Sequence, residues 1–125
     1  DWQKEVVHLS GGVSAFELNR YFGFLNGFKN IIEGPYMGAN VTTYRKRSNS
    51  TIELIDISAD INRGSSLVTF FGHGSPSLID IEIGFASDPN LGYANKGKYP
   101  MLLLNGCDLL VLQNDAGVLG HQISL

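Results

Sequence analysis

Short apolar runs alternate with amphipathic segments along the chain, and this alternation restricts the fold more than any other feature. Residues 5–9, 40–45, 66–71 and 100–104 are rich in apolar or β-branched side chains and are bounded by turn-forming residues, as strands are. The last two runs lack alternation, which is typical of parallel strands covered on both faces. Residues 76–98, rich in Pro, Gly, Asn and Asp, form a connection long enough for a crossover between them. This order predicts an α/β fold, a three-layer α/β/α sandwich around a mostly parallel sheet.

Two helices are predicted between these strands. The first begins at a capping box formed by Ser14 and Glu17, in which each side chain accepts from a backbone amide at the start of the helix. Apolar side chains then recur every three or four residues, at Leu18, Tyr21, Phe22, Leu25, Phe28 and Ile32. The pair Ser50 and Glu53 repeats the capping-box pattern and predicts a second helix that ends at Gly64.

Length and composition exclude several classes of protein. The 125 residues suffice for one compact domain, and 43% hydrophobic against 17% charged residues indicates a globular core. A net charge of −3 provides no electrostatic footprint for nucleic acid, and no apolar run reaches the roughly 18 residues of a membrane span. One cysteine excludes an internal disulfide framework and a multi-thiolate zinc site. Because the chain begins at Asp1 without Met, we expect a piece of a longer protein.

Two reactive side chains follow the two buried strands. His73 follows residues 66–71 after one glycine, and Cys107 follows the strand that ends at Leu104 after Asn105 and Gly106. Ligands bind at the carboxyl ends of strands in open parallel sheets, so both side chains are expected at one rim. An imidazole there can generate the thiolate of a free thiol, whose ordinary pKa is about 8.5, and later return the proton to a leaving amine.

The glycines beside these residues suit the same chemistry. Gly74 and Gly106 allow a substrate backbone to approach closely. The backbone N–H groups of Gly74 and Cys107 are candidate oxyanion donors, placed where charge develops on an attacked carbonyl. The alternative is structural: a glycine-flanked histidine is often a turn residue, and a lone cysteine is often an inert, buried apolar side chain.

The same residues carry a family resemblance. The segment Thr69-Phe-Phe-Gly-His-Gly-Ser75 and Cys107 in Leu103-Leu-Asn-Gly-Cys, 34 positions after His73, resemble the gingipain family of cysteine proteases, relatives of caspases and legumains. The resemblance covers roughly residues 1–108, supported by His-Leu-Ser-Gly-Gly at 8–12 and Gly-Lys-Tyr-Pro before the last strand. The family includes surface proteins of the type IX secretion pathway of Bacteroidetes.

The resemblance implies a caspase-like fold, truncated after the fourth strand, in a partial gingipain-like domain over residues 1–125. It implies a cysteine endopeptidase that cleaves peptide or protein substrates through His73, Cys107 and a thioester acyl-enzyme, in a secreted or cell-surface protein. Some family members orient the histidine with an upstream carboxylate, for which Glu5 and Glu17 are available. A catalytically inactive protease-fold domain with a structural or protein-interaction role is the alternative. Cleavage specificity and oligomeric state stay open.

No metal or cofactor is required by this chemistry. Asp80, Glu82 and Asp88 have oxygen ligands that suit calcium, but they lack the dense spacing of a dedicated loop, which favours a solvated acidic loop. A metal-dependent hydrolase built on His8, His73 and an aspartate is the least favoured function, because no His-x-x-x-His spacing exists. His8 is instead expected to be a partnered structural histidine of the first strand, and His121 receives no role.

Overall fold

The structure, a computed structural model, describes residues 1–75 and 78–107. Six strands and two helices follow one another along this part of the chain. In chain order they are β1 (Glu5–Ser10), α1 (Ala15–Ile32), β2 (Asn40–Arg45), β3 (Glu53–Leu54), α2 (Ser58–Arg63), β4 (Leu67–Phe71), β5 (Ile81–Glu82) and β6 (Met101–Asn105). His121, for which the sequence predicts no role, lies outside the described residues.

The four longer strands form one sheet in the order β2-β1-β4-β6. All three pairs of neighbouring strands are parallel, with Leu9 opposite both Tyr44 and Phe70, and Phe70 opposite Leu104. The predicted parallel sheet is therefore confirmed. The two-residue strands β3 and β5 pair with each other in a separate small parallel sheet.

Elements pack on both faces of β1 and β4, but the edge strand β6 leaves Met101 and Leu103 exposed at 64% and 50%. The cover predicted for both faces of this last strand is therefore wrong for one face among the described residues. Successive side chains of a strand point to opposite faces, so β1 contributes Val7 and Leu9 to one face and His8 to the other. Helix α1 packs on the face of His8, and its Leu25 is buried there at 1% exposure. The opposite face meets α2 and the β3–β5 pair in a core made of Val7, Leu9, Ile55, Ile57, Ile61, Val68, Phe70, Ile79, Ile81 and Ile83.

The first predicted helix is confirmed, and its cap fixes the start. Ser14 is the N-cap, and its Oγ accepts from the Glu17 N–H at 3.2 Å. Glu17 reaches back one residue further than a capping box requires, to the Val13 N–H at 2.9 Å. The helix ends at Ile32, and Glu33 forms the C-cap just before Gly34 and Pro35.

The second predicted helix begins in the wrong place. Ser50 caps no helix, because the Glu53 carboxylate accepts from the N–H groups of Arg47 and Ser48 and closes a turn. Glu53 then belongs to β3, whose partner β5 lies far along the chain. Helix α2 starts only at Ser58 and ends before Gly64, as predicted for its last residue.

No helix among the described residues combines the length and apolarity that crossing a bilayer needs.

Candidate active site

The strands β4 and β6 bring His73 and Cys107 to the same rim of the sheet. Phe71 and Asn105 are register partners at the ends of the two strands, and the Gly72 N–H donates to the Asn105 carbonyl at 3.1 Å. His73 and Cys107 each lie two residues beyond that register pair. Neighbouring strands are about 4.8 Å apart, so the two side chains begin from adjacent positions. Cys107 is exposed, which contradicts the alternative of an inert, buried cysteine.

A carboxylate on α1 faces the histidine. Glu17 Oε2 lies 3.1 Å from His73 Nε2, which is ion-pair distance when the imidazole is protonated. The nitrogen has no aligned hydrogen-bond partner among the described residues, so the contact is electrostatic rather than a directed bond in this conformation. Glu5, the other upstream carboxylate, lies at the opposite end of β1, where it accepts from the side chain of Asn40. The structure thus separates two candidates that sequence reasoning left equal.

The start of α1 fixes the charge state of this carboxylate. The hydrogen bond from the Val13 N–H, with a smaller contribution from His73, holds the pKa of Glu17 below its usual range. The side chain is about a quarter exposed, so water screens part of this effect. Glu17 is consequently ionised across neutral pH and can stabilise an imidazolium at His73.

Tyr21 packs one turn further along α1, beside the imidazole. Its ring centroid is 6.0 Å from that of His73 and 5.0 Å from that of Phe71. Burial, and then the negative charges of Glu17, Asp80 and Cys107, raise the pKa of Tyr21. Its hydroxyl is therefore neutral at physiological pH, and the ring packs at a tilt beside the imidazole. The helical period predicted Tyr21 as a packing residue but did not indicate this contact.

The residue after the histidine has an unused amide. Gly74 and Ile79 form an antiparallel bridge in which the Asp80 N–H donates to the His73 carbonyl at 2.9 Å, and the Ser75 N–H donates to Leu78. In such a bridge the N–H of the central residue points away from the partner segment. The Gly74 N–H makes no hydrogen bond within residues 1–75 and 78–107.

Asp80 lies beneath this rim and was missed as a site residue. It is only 3% exposed, and its Oδ2 accepts from the Gly12 N–H at 2.6 Å. Its Oδ1 fills the space beside Gly11 and Gly72, where a Cβ on either glycine would overlap it. The expected solvated acidic loop is therefore wrong for Asp80, since the carboxylate is folded inward against backbone amides. In the sequence, the glycines at the ends of β1 and β4 were the signal that another side chain packs closely there.

A cavity of about 280 Å³ adjoins the imidazole on the side away from Cys107. Its walls carry His73, Gly74 and Asp80 together with the aliphatic side chains of Val13, Ile52, Leu78 and Ile79.

The remaining candidate ligands are not brought together. Glu82 is also buried, at 7%, and accepts from the Ile79 and Gly84 N–H groups, while Asp88 accepts from the Asn90 N–H. Burial, the largest influence on it, raises the pKa of Glu82. In the described part of the chain, no three His, Cys, Asp or Glu side chains are grouped so that they could hold a metal ion.

His8 is buried in the middle of β1 and takes no part in the site at the rim. Its exposure is 1%, and its Nδ1 has no hydrogen-bond partner among the residues described. Burial, with a smaller effect from Lys29, lowers the pKa of His8. The structural role expected from sequence fits this position. Among the described residues, the partner of this imidazole is the backbone of Leu25.

The sequence matches a known protein family. Residues 1–120 match the sequence profile of peptidase family C25, the gingipain family. No curated protein and no solved structure matches the chain significantly. The profile covers nearly all of the sequence, including the two glycine-rich strand ends, and the parallel sheet with helices on both faces agrees with a caspase-like fold. The chain therefore belongs to peptidase family C25, a family of cysteine peptidases.

Proposed function

We propose that the protein is a cysteine endopeptidase in which His73 is the base, Cys107 the nucleophile and Glu17 the carboxylate that orients the histidine. The proposal is supported most by one observation: His73 and Cys107 occupy equivalent positions beyond paired, parallel strand ends. The 3.1 Å contact between Glu17 and His73 adds a group that stabilises the protonated imidazole.

The reaction uses these groups in two stages. His73 takes the thiol proton, and the Cys107 thiolate attacks the carbonyl carbon of the scissile peptide bond. The tetrahedral intermediate places its negative oxygen between the N–H groups of Gly74 and Cys107. The carbon–nitrogen bond then breaks, His73 donates its proton to the leaving amine, and a thioester acyl-enzyme remains. Water, deprotonated by the same imidazole, hydrolyses the thioester and returns Cys107 to the thiol.

Glu17 acts on His73 at both proton transfers. A fixed negative charge beside Nε2 favours the imidazolium that forms when the thiol loses its proton. Because the carboxylate is itself held by the Val13 N–H, it is already in place before substrate binds. The uncommitted N–H of Gly74 supports its role as an oxyanion donor for the same reason: no protein acceptor in the described residues must first be displaced.

The experiment is cleavage of a mixed peptide library, with products identified by mass spectrometry. Cys107→Ala and His73→Ala are each expected to abolish cleavage. Glu17→Gln keeps the shape of the side chain and removes the charge, so the rate should fall about tenfold while KM changes little, as expected when a charge acts on the transition state. Glu5→Gln is the matched control, because that carboxylate lies at the other end of the sheet, and it should leave the rate unchanged.

Other outcomes are equally informative. A folded protein that cleaves no peptide would favour the alternative of a protease-fold domain with a structural or interaction role. Cleavage that survives in Cys107→Ala would refute the nucleophile. Secretion or surface display of the protein is part of the proposal, because it follows from the family resemblance and would place the substrates outside the cell.

A further inference from the structure

Asp80 forms hydrogen bonds with the backbone of His73 and with the turn that precedes Glu17. Its own N–H donates to the His73 carbonyl at 2.9 Å, which fixes the main chain that carries the imidazole. Its carboxylate accepts from the Gly12 N–H at 2.6 Å, which fixes the turn between β1 and α1. Gly12 and Asp80 are 68 positions apart, so one residue joins two segments that are distant in sequence.

The turn held by Asp80 leads directly to the carboxylate that faces the histidine. Val13 follows Gly12, and its N–H donates to Glu17 Oε2 at 2.9 Å, the same oxygen that lies 3.1 Å from His73 Nε2. A shift of the Gly12–Val13 peptide would therefore move the donor that fixes Glu17. The chain of contacts runs from the Asp80 carboxylate through two backbone amides to the imidazole.

Buried charges hold this turn from two sides. The Lys46 side chain is 1% exposed, and its Nζ donates to the Gly12 carbonyl at 2.7 Å. Gly12 thus gives its N–H to a buried carboxylate and its carbonyl to a buried ammonium. Such charge-assisted hydrogen bonds are stronger than neutral ones and restrict the peptide plane tightly. The φ of Gly12 is +126°, a conformation that side chains with a Cβ rarely adopt, so the turn depends on these contacts and on glycine.

The second carboxylate oxygen packs against the two glycines at the strand ends. Asp80 Oδ1 is buried and has no hydrogen-bond partner among the described residues. It occupies the space that a Cβ on Gly11 or Gly72 would need, on the two strand ends that flank the site. The carboxylate is thus a packing element between the ends of β1 and β4.

We propose that Asp80 is a positioning residue: it holds the Gly12–Val13 turn and the His73 backbone so that Glu17 stays in contact with the imidazole. This inference rests on the proposed roles of Glu17 and His73 but concerns a different property, the geometry of their pair. The charged or titratable groups around that pair are Glu17 and Tyr21 from α1, Asp80 below the turn, Lys46 beyond β2 and Cys107 beyond β6.

The test measures the pKa of the Glu17 carboxyl in the full chain by carbon-detected NMR. If Asp80 fixes the donor at Val13, then Asp80→Ala loosens that hydrogen bond, and the pKa of Glu17 rises toward its ordinary value. The direct electrostatic effect has the opposite sign, because removing a nearby negative charge makes Glu17 easier to ionise and lowers its pKa. A raised pKa of Glu17 in Asp80→Ala therefore indicates that Asp80 positions the Val13 donor, and a lowered pKa indicates that it acts only through its charge.

Amide hydrogen exchange at Val13 is a second measurement of the same inference and needs no titration. Exchange at Val13 should become about tenfold faster in Asp80→Ala, while amides inside β1 keep their wild-type rates. Asp80→Asn retains an oxygen that accepts from Gly12 but loses the charge, so it weakens this hydrogen bond less, and exchange at Val13 should become faster by a smaller factor than in Asp80→Ala. This variant carries the test alone if Asp80→Ala does not fold. Asp88→Ala is the control, because it removes a carboxylate–amide bond outside the site.

An unchanged or lowered pKa of Glu17 in Asp80→Ala, or unchanged exchange at Val13 in either folded Asp80 variant, overturns the inference. Neither reading requires catalysis, so a protein that fails to cleave peptides can still support the role of Asp80. Conversely, an active enzyme in which Asp80→Ala leaves the pKa of Glu17 unchanged would support the proposed function and refute this inference.

Discussion

Replacing Gly72 by alanine adds one methyl group at a crowded point beneath the site. A Cβ at Gly72 would lie 2.5 Å from Asp80 Oδ1 and 2.9 Å from the ring of Phe70. Phe70 is fully buried in the core, and Asp80 is held by the Gly12 N–H, so neither group moves without loss. The substitution is chemically minimal, and its effect should therefore reflect packing alone.

The expected destabilisation combines two costs. Overpacking of a dense interior costs about 2 kcal/mol. Moving the carboxylate weakens a charged hydrogen bond to Gly12 and adds about 1.5 kcal/mol. Alanine also reduces the conformational entropy of the unfolded chain, which offsets about 0.5 kcal/mol of this loss. The net loss of about 3 kcal/mol corresponds to a melting temperature lowered by roughly 12 °C in a domain of this size.

Differential scanning calorimetry of Gly72→Ala beside Gly23→Ala measures this directly. Gly23 lies on the exposed side of α1, where an added Cβ meets nothing within 4 Å. The same substitution there should raise the free energy of unfolding by about 0.5–1 kcal/mol, because alanine is the better helix former. If both variants melt within about 2 °C of the wild type, the packing of Asp80 against Gly72 is wrong.

Two further predictions concern pH. Burial lowers the pKa of His8, so its contribution to the free energy of unfolding is present above about pH 6.5, the ordinary value, and is lost as the pH falls through the lowered value. Urea denaturation of the wild type should show this loss of stability toward acid pH. A His8→Leu variant with the same pH dependence would contradict the prediction. Burial and a hydrogen bond to Asp60 raise the pKa of Tyr44 to about 12, so its contribution is present below pH 10 and is lost as the pH rises toward 12. Thermal melts between pH 9 and pH 11 should therefore decline more steeply in the wild type than in Tyr44→Phe, and equal declines would refute the assignment.

The elements predicted well are those whose signal is local. Helix α1 follows from a capping residue at Ser14 and a three-to-four-residue apolar period, both contained within its own sequence. The strands β4 and β6 are nearly continuous apolar runs, a pattern typical of parallel sheets, although one face of the edge strand β6 is exposed. Their reactive side chains could be placed at one rim because parallel neighbours end on the same side.

The errors come from contacts that span the chain. Glu53 has the spacing of a capping residue but pairs as part of β3 with β5, which sequence pattern did not reveal because each strand has only two residues. Asp80 was interpreted as part of a solvated acidic loop because its hydrogen-bond donor, Gly12, lies 68 positions away. A carboxylate that is satisfied by a distant amide has the same local sequence as one that is satisfied by water.

The choice of Glu17 over Glu5 likewise depended on tertiary structure. Both carboxylates precede the histidine in sequence, but β1 separates them by its full length, and only the start of α1 faces His73. Knowledge of the sheet order would have been sufficient to decide between them.

The most direct measurement of the central claim is the rate at which iodoacetamide alkylates Cys107 at pH 7. If the imidazole of His73 generates the thiolate, the wild-type protein should react at least about tenfold faster than His73→Ala and than a cysteine in an unstructured peptide. Equal rates in the wild type, in His73→Ala and in the peptide would show that these two side chains do not act together.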